Sequence, residues 1–519
     1  MPFFLSRRPP ANLRRFLVFV VLAVLAAAGG PAQAAELRVS KGTVIVEEGT
    51  AFVEVDVSWR LSWRNETNWD AAWLFVKRRG GGQDPHVRLA PSGHRMVSNA
   101  HPDQPGASFT VPSDGMGAFV YRDAPTNERG ANDWTLRLKV ALPEDTAPSD
   151  LPPTVTVYGV EMVYVPDGPF SVGDPQPTGE APPDAFYEQT ADTTQAPPYR
   201  ITDSGPIPLC DGPGSLCSPE MREEIREDGR RLGSIPASYP NGYDAFYLMK
   251  YELTQGQYAA FLRSLSNGQT NSRDPVSGRT YEADRGTIAL VGGQYLAGRP
   301  DRACNFLTWA DAAAYMDWAG LRPMTEFEYT KAARGPAEPV ADEFAWGSTT
   351  ITHGDTIRAP GGPEARDEDG DEYVRGNANY DGGGGDEHVG GDGGAGPLRV
   401  DIFETRAHRT EADNLREASG AGYYDALDLT GSLFERAITA TNEDGLRFRG
   451  THGNGDLAYP AQASNKDWPP LDGSGIGLRG GNYRRGPDQG LRLADRRFGD
   501  YRGNYRGAAM GIRGARTAP

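Results

Sequence analysis

Apolar and polar residues alternate with a period of two between Phe52 and Arg64, in the sequence FVEVDVSWRLSWR. Such alternation is the pattern of a β-strand with one buried face. The face predicted to be buried carries Val53, Val55, Val57, Trp59, Leu61 and Trp63. The turn-forming residues at 65–68 and the apolar stretch at 69–77 then predict a second strand, which returns beside the first as a hairpin.

Four more segments between 107 and 160 have the composition of short strands, and loops rich in Gly, Pro and Asn separate them: ASFTVP, GAFVYR, WTLRLKVAL and TVTVYGV. Repeated short strands of this kind predict an antiparallel β-sandwich over residues 36–157. Its first two strands contain Trp59, Trp63, Trp69 and Trp73. These rings are either part of the core or a platform on which sugar rings stack, and the sequence leaves both interpretations open.

Helical periodicity is found only after residue 158, in a region predicted to be a second domain, 158–519. Thr254 and Thr308 are each placed to cap the N-terminus of a helix, because a threonine oxygen accepts from the free N–H groups there. Thr325 is placed in the same way before a third helix, with Glu328 in the capping-box position and Gly335 at the end. The first helix carries an apolar stripe made of Tyr258, Phe261, Leu262 and Leu265.

Residues 1–35 are predicted to be a signal peptide. The basic residues Arg7, Arg8, Arg14 and Arg15 precede an apolar run from Phe16 to Ala28, and Ala32-Gln33-Ala34 offers a cleavage site. The run is shorter than the roughly 20 apolar residues that cross a bilayer. We therefore expect an exported bacterial protein, periplasmic or extracellular, with no transmembrane segment after signal cleavage. An uncleaved N-terminal anchor is the alternative.

The formal charge of the 519-residue chain is −17, which argues against nucleic acid as a partner. One segment differs: from Arg479 to Arg516 the chain contains ten Arg and three Asp. There are three cysteines. Cys210 and Cys217, in CDGPGSLC, close a small loop that an oxidising compartment would bridge with a disulfide. Cys304 is predicted to be buried and inert.

Six segments carry a resemblance to a known family: VEMVYVPDGPFSVGD, FYLMKYELTQGQYAAFL, WADAAAYMDWAGLRPMTEFEYTKAARG, FAWG, DLTGSLFER and LRGGNYRRG…LRLADRR…GIRGAR. In order and spacing they resemble the formylglycine-generating-enzyme, or sulfatase-modifying-factor, family over 160–516, with insertions at about 174–240 and 350–420. The resemblance implies an α+β chain in which the β-sandwich is followed by a C-type-lectin-like domain rich in irregular structure.

Enzymes of this family oxidise a substrate cysteine with copper held by two cysteines, a soft-ligand pair suited to Cu(I). The resemblance places those cysteines at Asp488 and Leu493, so copper is not expected and a non-catalytic binding or structural module is the first interpretation. The alternative is a metal-dependent oxidoreductase, either formylglycine-generating or like the sulfoxide synthases of the family. It would use a non-standard site, for which Asp488, His452 and His408 are the candidates.

The arginine-rich segment divides into two groups. Arg479, Arg496 and Arg513 belong to the R-G-G and G-x-R motifs and the arginine position of the family, and are predicted to pair with internal carboxylates. A second group is the candidate surface for an anionic glycan or a cell-envelope protein, because guanidinium groups bind carboxylate or sulfate and tyrosines stack on sugars. It comprises Arg484, Arg485, Arg492, Arg497, Arg502, Arg506, Tyr483, Tyr501 and Tyr505. A third possibility is a component of a multiprotein surface assembly that docks through the tryptophan-rich sandwich.

Calcium is the cofactor that the resemblance implies. One family calcium motif matches Asn379 and Tyr380, and a second is degraded and retains only Gly431 and Glu435. Between residues 367 and 394 the chain is dense in hard oxygen donors, namely Asp367, Asp369, Asp371, Glu372, Asp381 and Asp386. Calcium prefers such ligands, although a disordered acidic insertion would have the same composition.

Overall fold

The computed structural model describes residues 37–80, 83–175, 182–192, 195–223, 233–276, 281–354, 376–380, 396–409 and 414–519. These residues belong to one compact unit, Pro31–Pro519. The predicted signal peptide and the six acidic donors of the 367–394 loop lie outside the described residues. Within the described ranges, no helix has the length and apolar character needed to cross a bilayer.

Strands outweigh helices, which confirms the predicted α+β class. The strands are β1 (Arg38–Val39), β2 (Gly42–Glu47), β3 (Thr50–Arg64), β4 (Asp70–Lys77), β5 (His86–Val87), β6 (Arg95–Asn99), β7 (Ala107–Thr110), β8 (Ala118–Arg122), β9 (Thr126–Lys139), β10 (Thr154–Val165), β11 (Phe170–Val172), β12 (Tyr187–Glu188), β13 (Tyr199–Ile201), β14 (Ile207–Pro208), β15 (Leu216–Cys217), β16 (Ser234–Ile235), β17 (Phe246–Met249), β18 (Ile288–Val291), β19 (Gln294–Ala297), β20 (Arg322–Pro323), β21 (Phe434–Ile438), β22 (Ile476–Arg479), β23 (Met510–Gly511) and β24 (Gly514–Thr517).

The α-helices are α1 (Pro219–Glu223), α2 (Gln255–Arg263), α3 (Asn267–Arg273), α4 (Trp309–Trp318), α5 (Glu326–Arg334), α6 (Ile402–Arg409), α7 (Leu415–Ser419) and α8 (Glu443–Leu446). Two short 3₁₀ helices cover Pro148–Asp150 and Tyr281–Asp284.

Two antiparallel layers form the N-terminal part of the molecule. One layer contains β1, β2, β3, β6 and β9, and the other contains β4, β5, β7, β8 and part of β10. Apolar side chains from both layers meet between them, including Val53, Val55, Val57, Trp134 and Leu136 from one layer and Ala72, Leu74, Val76, Val120 and Val157 from the other. Burial of these side chains holds the layers together.

Strand β10 continues from this sandwich into the C-terminal part of the chain. Thr154 and Val155 pair with β2, the stretch from Thr156 to Val163 pairs with β4, and the end of β10 pairs with β17. The predicted domain boundary at 157/158 therefore lies inside a continuous strand. The division into two domains stays a prediction, since no break in the structure marks it.

Every residue of β4 is buried, because both faces of this strand are covered. Ala72, Leu74 and Val76 point into the space between the two layers, whereas the alternate residues point towards helices α2 and α4 in a second apolar cluster that contains Ala71, Trp73 and Phe75. The Nε1 atom of Trp73 donates a hydrogen bond to the carbonyl oxygen of Ala319, at 2.9 Å.

The predicted hairpin of β3 and β4 is wrong. The two strands lie in different layers, joined near their ends by a single bridge between Arg64 and Trp69. The alternation along β3 also shifts after Trp59, because Leu61 has a positive φ of 54° and the register with β9 is interrupted there. Ser62 is buried as a result and donates to Asp70 Oδ1 at 2.8 Å, while Leu61 and Trp63 are only half-buried.

The four tryptophans do not form one sugar-binding platform. Trp59 and Trp73 are fully buried in the core. Trp69 stacks on Tyr164 with ring centroids 4.1 Å apart, and the Trp63 Nε1 atom donates to Asp425 Oδ2 at 2.8 Å. The tryptophans therefore serve packing and hydrogen bonding.

The three helix starts predicted from local sequence are confirmed. The hydroxyl oxygens of Thr254, Thr308 and Thr325 each accept a hydrogen bond from the backbone N–H three residues later, with capping boxes at α2, α4 and α5. Gly335 ends α5 with φ of 63°. The stripe on α2 is buried, as predicted.

Lys77, the last residue of β4, carries a fully buried amine. Its Nζ donates to the carbonyl oxygen of Gly455 at 2.8 Å and lies 5.3 Å from the centre of the Trp318 ring. Burial lowers the pKa of Lys77 to about 7, although Asp456 and Asp317 act in the opposite direction.

We expect Lys77→Met to stabilise the protein near pH 6 and to lose that advantage near pH 10. The folded-state pKa is below that of the unfolded chain, so protonating Lys77 costs folding free energy below pH 7, and the cost disappears as the pH rises to the unfolded value. One pKa unit corresponds to about 1.4 kcal/mol. Urea unfolding at both pH values measures the difference. An equal, pH-independent gain in Lys139→Met, at a half-buried strand position, would contradict this explanation.

Candidate functional site

Residues 488–497 occupy the position at which the resemblance places the copper cysteines. Leu493 is 1% exposed and packs in an apolar cluster, and its backbone N–H donates to the carbonyl oxygen of Glu343. Asp488 is exposed, and its Oδ1 accepts from Arg492 Nη2 at 2.6 Å. A buried aliphatic side chain and an exposed, ion-paired carboxylate offer no soft ligand for copper.

Arg496 lies in a buried ion-pair cluster beside this segment. Its Nε donates to Glu326 Oε2 at 2.6 Å, and its Nη2 donates to Glu220 Oε2 at 3.4 Å. The carbonyl oxygen of Asp184 accepts from Nη1 at 2.9 Å, and the guanidinium lies 3.9 Å from the centre of the Phe186 ring. Residues of the predicted 174–240 insertion thus enclose Arg496, which is 1% exposed.

The covering segment is held together by the predicted disulfide, since Cys210 and Cys217 are bonded in the structure. Strand β12 pairs with β15, which places Tyr187 opposite Cys217. Helix α1 follows directly and carries Glu220. The disulfide, the ring of Phe186 and the carboxylate of Glu220 therefore belong to one small structural unit.

A second buried cluster surrounds Arg513. Its guanidinium donates to both oxygens of Glu435 at 2.6–2.9 Å and to the carbonyl oxygen of Leu427 at 2.6 Å. Burial raises the pKa of Glu252 well above its ordinary value, with Glu435 adding to the effect. Burial likewise raises the pKa of Asp428 to about 6, although Arg513 acts in the opposite direction.

The predicted structural role of three arginines is confirmed. Arg496 and Arg513 pair with Glu326 and Glu435 as described, and Arg479 Nη1 lies 3.8 Å from Glu326 Oε2. All three guanidinium groups are buried. Ion pairs of this kind hold the C-terminal strands against α5 and β21, and breaking one would leave an uncompensated buried charge.

The predicted calcium residues differ in whether they have an oxygen available to a cation. Asn379 is 1% exposed, its Nδ2 donates to the carbonyl oxygen of Gly396 at 3.2 Å, and its buried Oδ1 has no hydrogen-bond partner among the described residues. Gly431 lies directly against it, since a Cβ at Gly431 would be 2.5 Å from the carbonyl oxygen of Asn379. Tyr380 is mostly buried, with its ring edge-on to His353. An unpartnered amide oxygen in a tight backbone environment fits a calcium ligand.

Glu435 does not fit this role. Both of its oxygens accept hydrogen bonds from Arg513, whose positive charge would repel a cation at the same carboxylate. Over the ranges that the structure describes, no group of three or more His, Cys, Asp or Glu side chains is arranged to hold a metal ion. Of the predicted calcium residues, Asn379 therefore has a side-chain oxygen without a partner among the described residues, whereas the oxygens of Glu435 are taken by Arg513.

Most of the arginines predicted to bind an anionic partner are engaged by carboxylates of the chain itself. The pairs are Arg484–Asp284, Arg492–Asp488, Arg492–Asp342, Arg497–Asp495, Arg502–Asp500 and Arg506–Asp311. Arg485 forms no ion pair with any described residue, and its guanidinium lies 5.4 Å from the centre of the Phe498 ring. Of the six predicted arginines, Arg485 is thus the one best placed to attract an external anion.

The three predicted tyrosines differ in how accessible their rings are to a ligand. Tyr483 is 1% exposed and donates its hydroxyl hydrogen to Asp284 Oδ1, so its ring cannot reach a ligand. Tyr505 is exposed and Tyr501 is half-buried; their ring centres lie 6.2 Å apart, and the ring centre of Phe498 lies 6.5 Å from that of Tyr501. We call Arg485, Phe498, Tyr501 and Tyr505 the aromatic row. The structure brings these four residues together and leaves Tyr483 and Arg484 elsewhere, beside Asp284.

The alternative metal candidates are in different surroundings. His452 is half-buried, its Nε2 accepts from the backbone N–H of Thr517 at 3.0 Å, and desolvation of its ring lowers its pKa to about 2. Asp488 is exposed and pairs with Arg492. The side chain of His408 lies outside the described residues.

Sequence reasoning missed a buried ionic network between the sandwich and the C-terminal part. Lys250 Nζ lies 3.1 Å from Glu161 Oε1 and 3.2 Å from Glu404 Oε2, and Arg129 pairs with Glu404 and Asp425 at 2.7 Å. These residues are far apart in sequence, so no local pattern connects them. The available signal was a charged residue inside the apolar strand β10, at Glu161, and another directly after the apolar strand β17, at Lys250.

Thiol titration tests the state of the cysteines. We expect no thiol to react with Ellman's reagent in the native protein, because Cys210 and Cys217 are bonded and burial raises the pKa of Cys304 well above its ordinary value. One thiol should react after unfolding without reductant, and three after reduction, the full number in the chain. Two reactive thiols in the native protein would contradict this arrangement.

No curated protein matches the chain. Residues 218–378 match the family model described as the sulfatase-modifying factor enzyme 1-like domain. This range includes Glu220, the capped helices α2, α4 and α5, and Glu326, and it ends before the arginine-rich segment. The chain therefore contains a domain of the sulfatase-modifying-factor, or formylglycine-generating-enzyme, family.

Proposed function

We propose that this protein is an exported, non-catalytic binding module of the formylglycine-generating-enzyme family. The observation that carries the proposal is the pair of residues at the expected copper positions, a buried Leu493 and an ion-paired Asp488. The cysteines of the chain supply no replacement pair, since two are disulfide-bonded and the third is buried. A copper site that needs two thiolates has no ligands here.

The aromatic row is the proposed binding surface, and an anionic glycan is the proposed ligand. Tyr505 is 51% exposed, so its ring is available to stack on a sugar, and Arg485 is free of internal ion pairs among the described residues. A planar guanidinium binds carboxylate or sulfate through two parallel hydrogen bonds. The chain as a whole has a net charge of −17 and repels anions. A local positive group at the aromatic row would attract an anionic ligand to this surface in particular.

Calcium is proposed to stabilise the fold, with Asn379 and Tyr380 as its protein ligands. The support is the buried Oδ1 of Asn379, which no described residue satisfies, since an unsatisfied buried oxygen costs folding free energy. A bound cation would neutralise that cost and fix the segment 376–380 against Gly431. The C-type-lectin-like fold that the resemblance implies is part of the same proposal.

Replacing Arg485 or Tyr505 with alanine should weaken binding of a sulfated or uronic-acid glycan by roughly fivefold or more, since each lost contact is worth about 1 kcal/mol. Glycan arrays followed by calorimetry at two salt concentrations provide the measurement. Arg447→Ala is the matched control, because Arg447 is a surface arginine paired with Glu443 and Asp444. If all three variants bind like the wild type while envelope proteins co-purify with the chain, the partner is a protein and the glycan assignment is wrong.

Purified without chelator, the mature protein should contain about one calcium per chain and no stoichiometric copper or iron in elemental mass spectrometry. EDTA should then lower the melting temperature of the wild type, because the folded state alone binds the ion. In Asn379→Ala this effect of EDTA should be absent. Asn377→Ala is the control: its Oδ1 already accepts from the backbone N–H of Thr352, so EDTA should still destabilise it. Stoichiometric copper or iron would favour the oxidoreductase alternative.

A further inference from the structure

Two buried guanidinium groups share one buried carboxylate between β22 and α5. Arg496 Nε donates to Glu326 Oε2 at 2.6 Å, and Arg479 Nη1 lies 3.8 Å from the same oxygen. Glu326 is held in place because its other oxygen, Oε1, accepts from the backbone N–H of Ala440 at 2.7 Å. The cluster therefore contains more positive than negative charge before any other group is counted.

Arg479 retains unused hydrogen-bonding capacity. Its Nη2 donates to the carbonyl oxygen of Leu493 at 2.8 Å, whereas its Nε and Nη1 are buried and have no hydrogen-bond partner among the described residues. Burial lowers the pKa of Arg479, although Glu326 acts in the opposite direction. A buried cation with unsatisfied donors is costly, and an anion beside it would remove much of that cost.

Glu220 supplies the second carboxylate of the cluster. Its Oε2 lies 3.4 Å from Arg496 Nη2, longer than the roughly 2.7–2.9 Å of a strong charge-assisted hydrogen bond. The side chain of Glu220 is 24% exposed, while those of Arg496 and Glu326 are 1–2% exposed. Glu220 therefore reaches the cluster from the solvent side and pairs with it loosely.

We propose that Arg496 is the centre of a carboxylate-binding site, that Arg479 adds positive charge to it through the Glu326 carboxylate they share, and that Glu220 occupies it in this structure as a displaceable substitute for an external carboxylate. The ligand chemistry is a carboxylate group, which a uronic acid or an acidic peptide can equally provide. This site shares no residue with the aromatic row, so it stands whether or not that surface binds a glycan.

The structure of the covering segment supports displacement. Glu220 lies on the five-residue helix α1, in which Met221 is buried in the core whereas the Glu220 side chain remains 24% exposed and is free to turn towards solvent. Burial also raises the pKa of Glu220 to about 7, although Arg496 acts in the opposite direction. Keeping Glu220 charged in this position is therefore unfavourable compared with leaving it in water.

Rescue of a Glu220→Ala variant by acetate tests the site. The variant leaves a gap beside Arg496 that acetate can fill, so acetate should raise its melting temperature by on the order of 2 °C more than sodium chloride of equal ionic strength does. Glu220→Gln fills the gap and should show no such rescue, nor should Glu443→Ala, which removes a surface ion pair with Arg447. An acetate shift in Glu220→Ala no larger than in Glu443→Ala would overturn the proposal. Glucuronate and N-acetylglutamate then distinguish the two sources of carboxylate.

If Glu220→Ala fails to fold, hydrogen exchange in the wild-type chain tests the carboxylate-binding site instead. Acetate competing with Glu220 should accelerate exchange in Pro219–Glu223 and leave α4 unchanged, whereas unchanged exchange in both segments would overturn the proposal. Arg485→Ala serves as a further control and should respond to acetate as the wild type does. Failure of glycan binding at the aromatic row can thereby be told apart from failure of carboxylate binding at the Arg479–Arg496 site.

Discussion

The pairing of β10 with β4 is the constraint on which the remaining structure depends. It aligns Thr156–Val163 with Lys77–Asp70 and continues into β17, which in turn pairs with β24. Both faces of β4 are thereby covered, one by the opposite layer of the sandwich and one by the helices. A strand in that position must be almost entirely apolar. Separating the sandwich from the C-terminal part would expose large core residues such as Trp73 and Phe75.

Charged groups in this region need partners from both halves of the chain, and the buried network provides them. Lys250, on the C-terminal side, reaches Glu161 of β10, and Arg129 of the sandwich reaches Glu404 and Asp425. A buried pair adds little net stability, but loss of one partner is strongly destabilising. Such a network therefore penalises any other alignment of the two halves. This explains how charged residues can persist in strands that are otherwise apolar.

What the sequence predicted correctly is governed by neighbours in the chain. A threonine cap or a capping box depends on residues three positions apart, so Thr254, Thr308 and Thr325 could be assigned without knowing the tertiary structure. The bulge at Leu61 could not be predicted from neighbouring residues, because it depends on Asp70 of the other layer, which accepts hydrogen bonds from Ser62 and Trp59. The arginines show the same limit: family motifs identified Arg479, Arg496 and Arg513 as structural, but the partners of Arg484 and Arg506, Asp284 and Asp311, are about 200 residues away in sequence.

The ion-pair clusters stabilise the C-terminal part of the fold without any contribution from the side chains of Asp488 and Leu493. Arg513 with Glu435, and Arg496 with Glu326, connect the C-terminal strands to the helices and to β21, and the fold needs them whether or not chemistry occurs nearby. The side chain of Leu493 takes no part in those pairs, since it packs in an apolar cluster. A binding function is therefore expected at charged or polar side chains whose hydrogen bonds and ion pairs are not all made within the fold. Among the described residues Arg485 has no carboxylate partner and two buried donors of Arg479 have no hydrogen-bond acceptor, so both have capacity for a further partner.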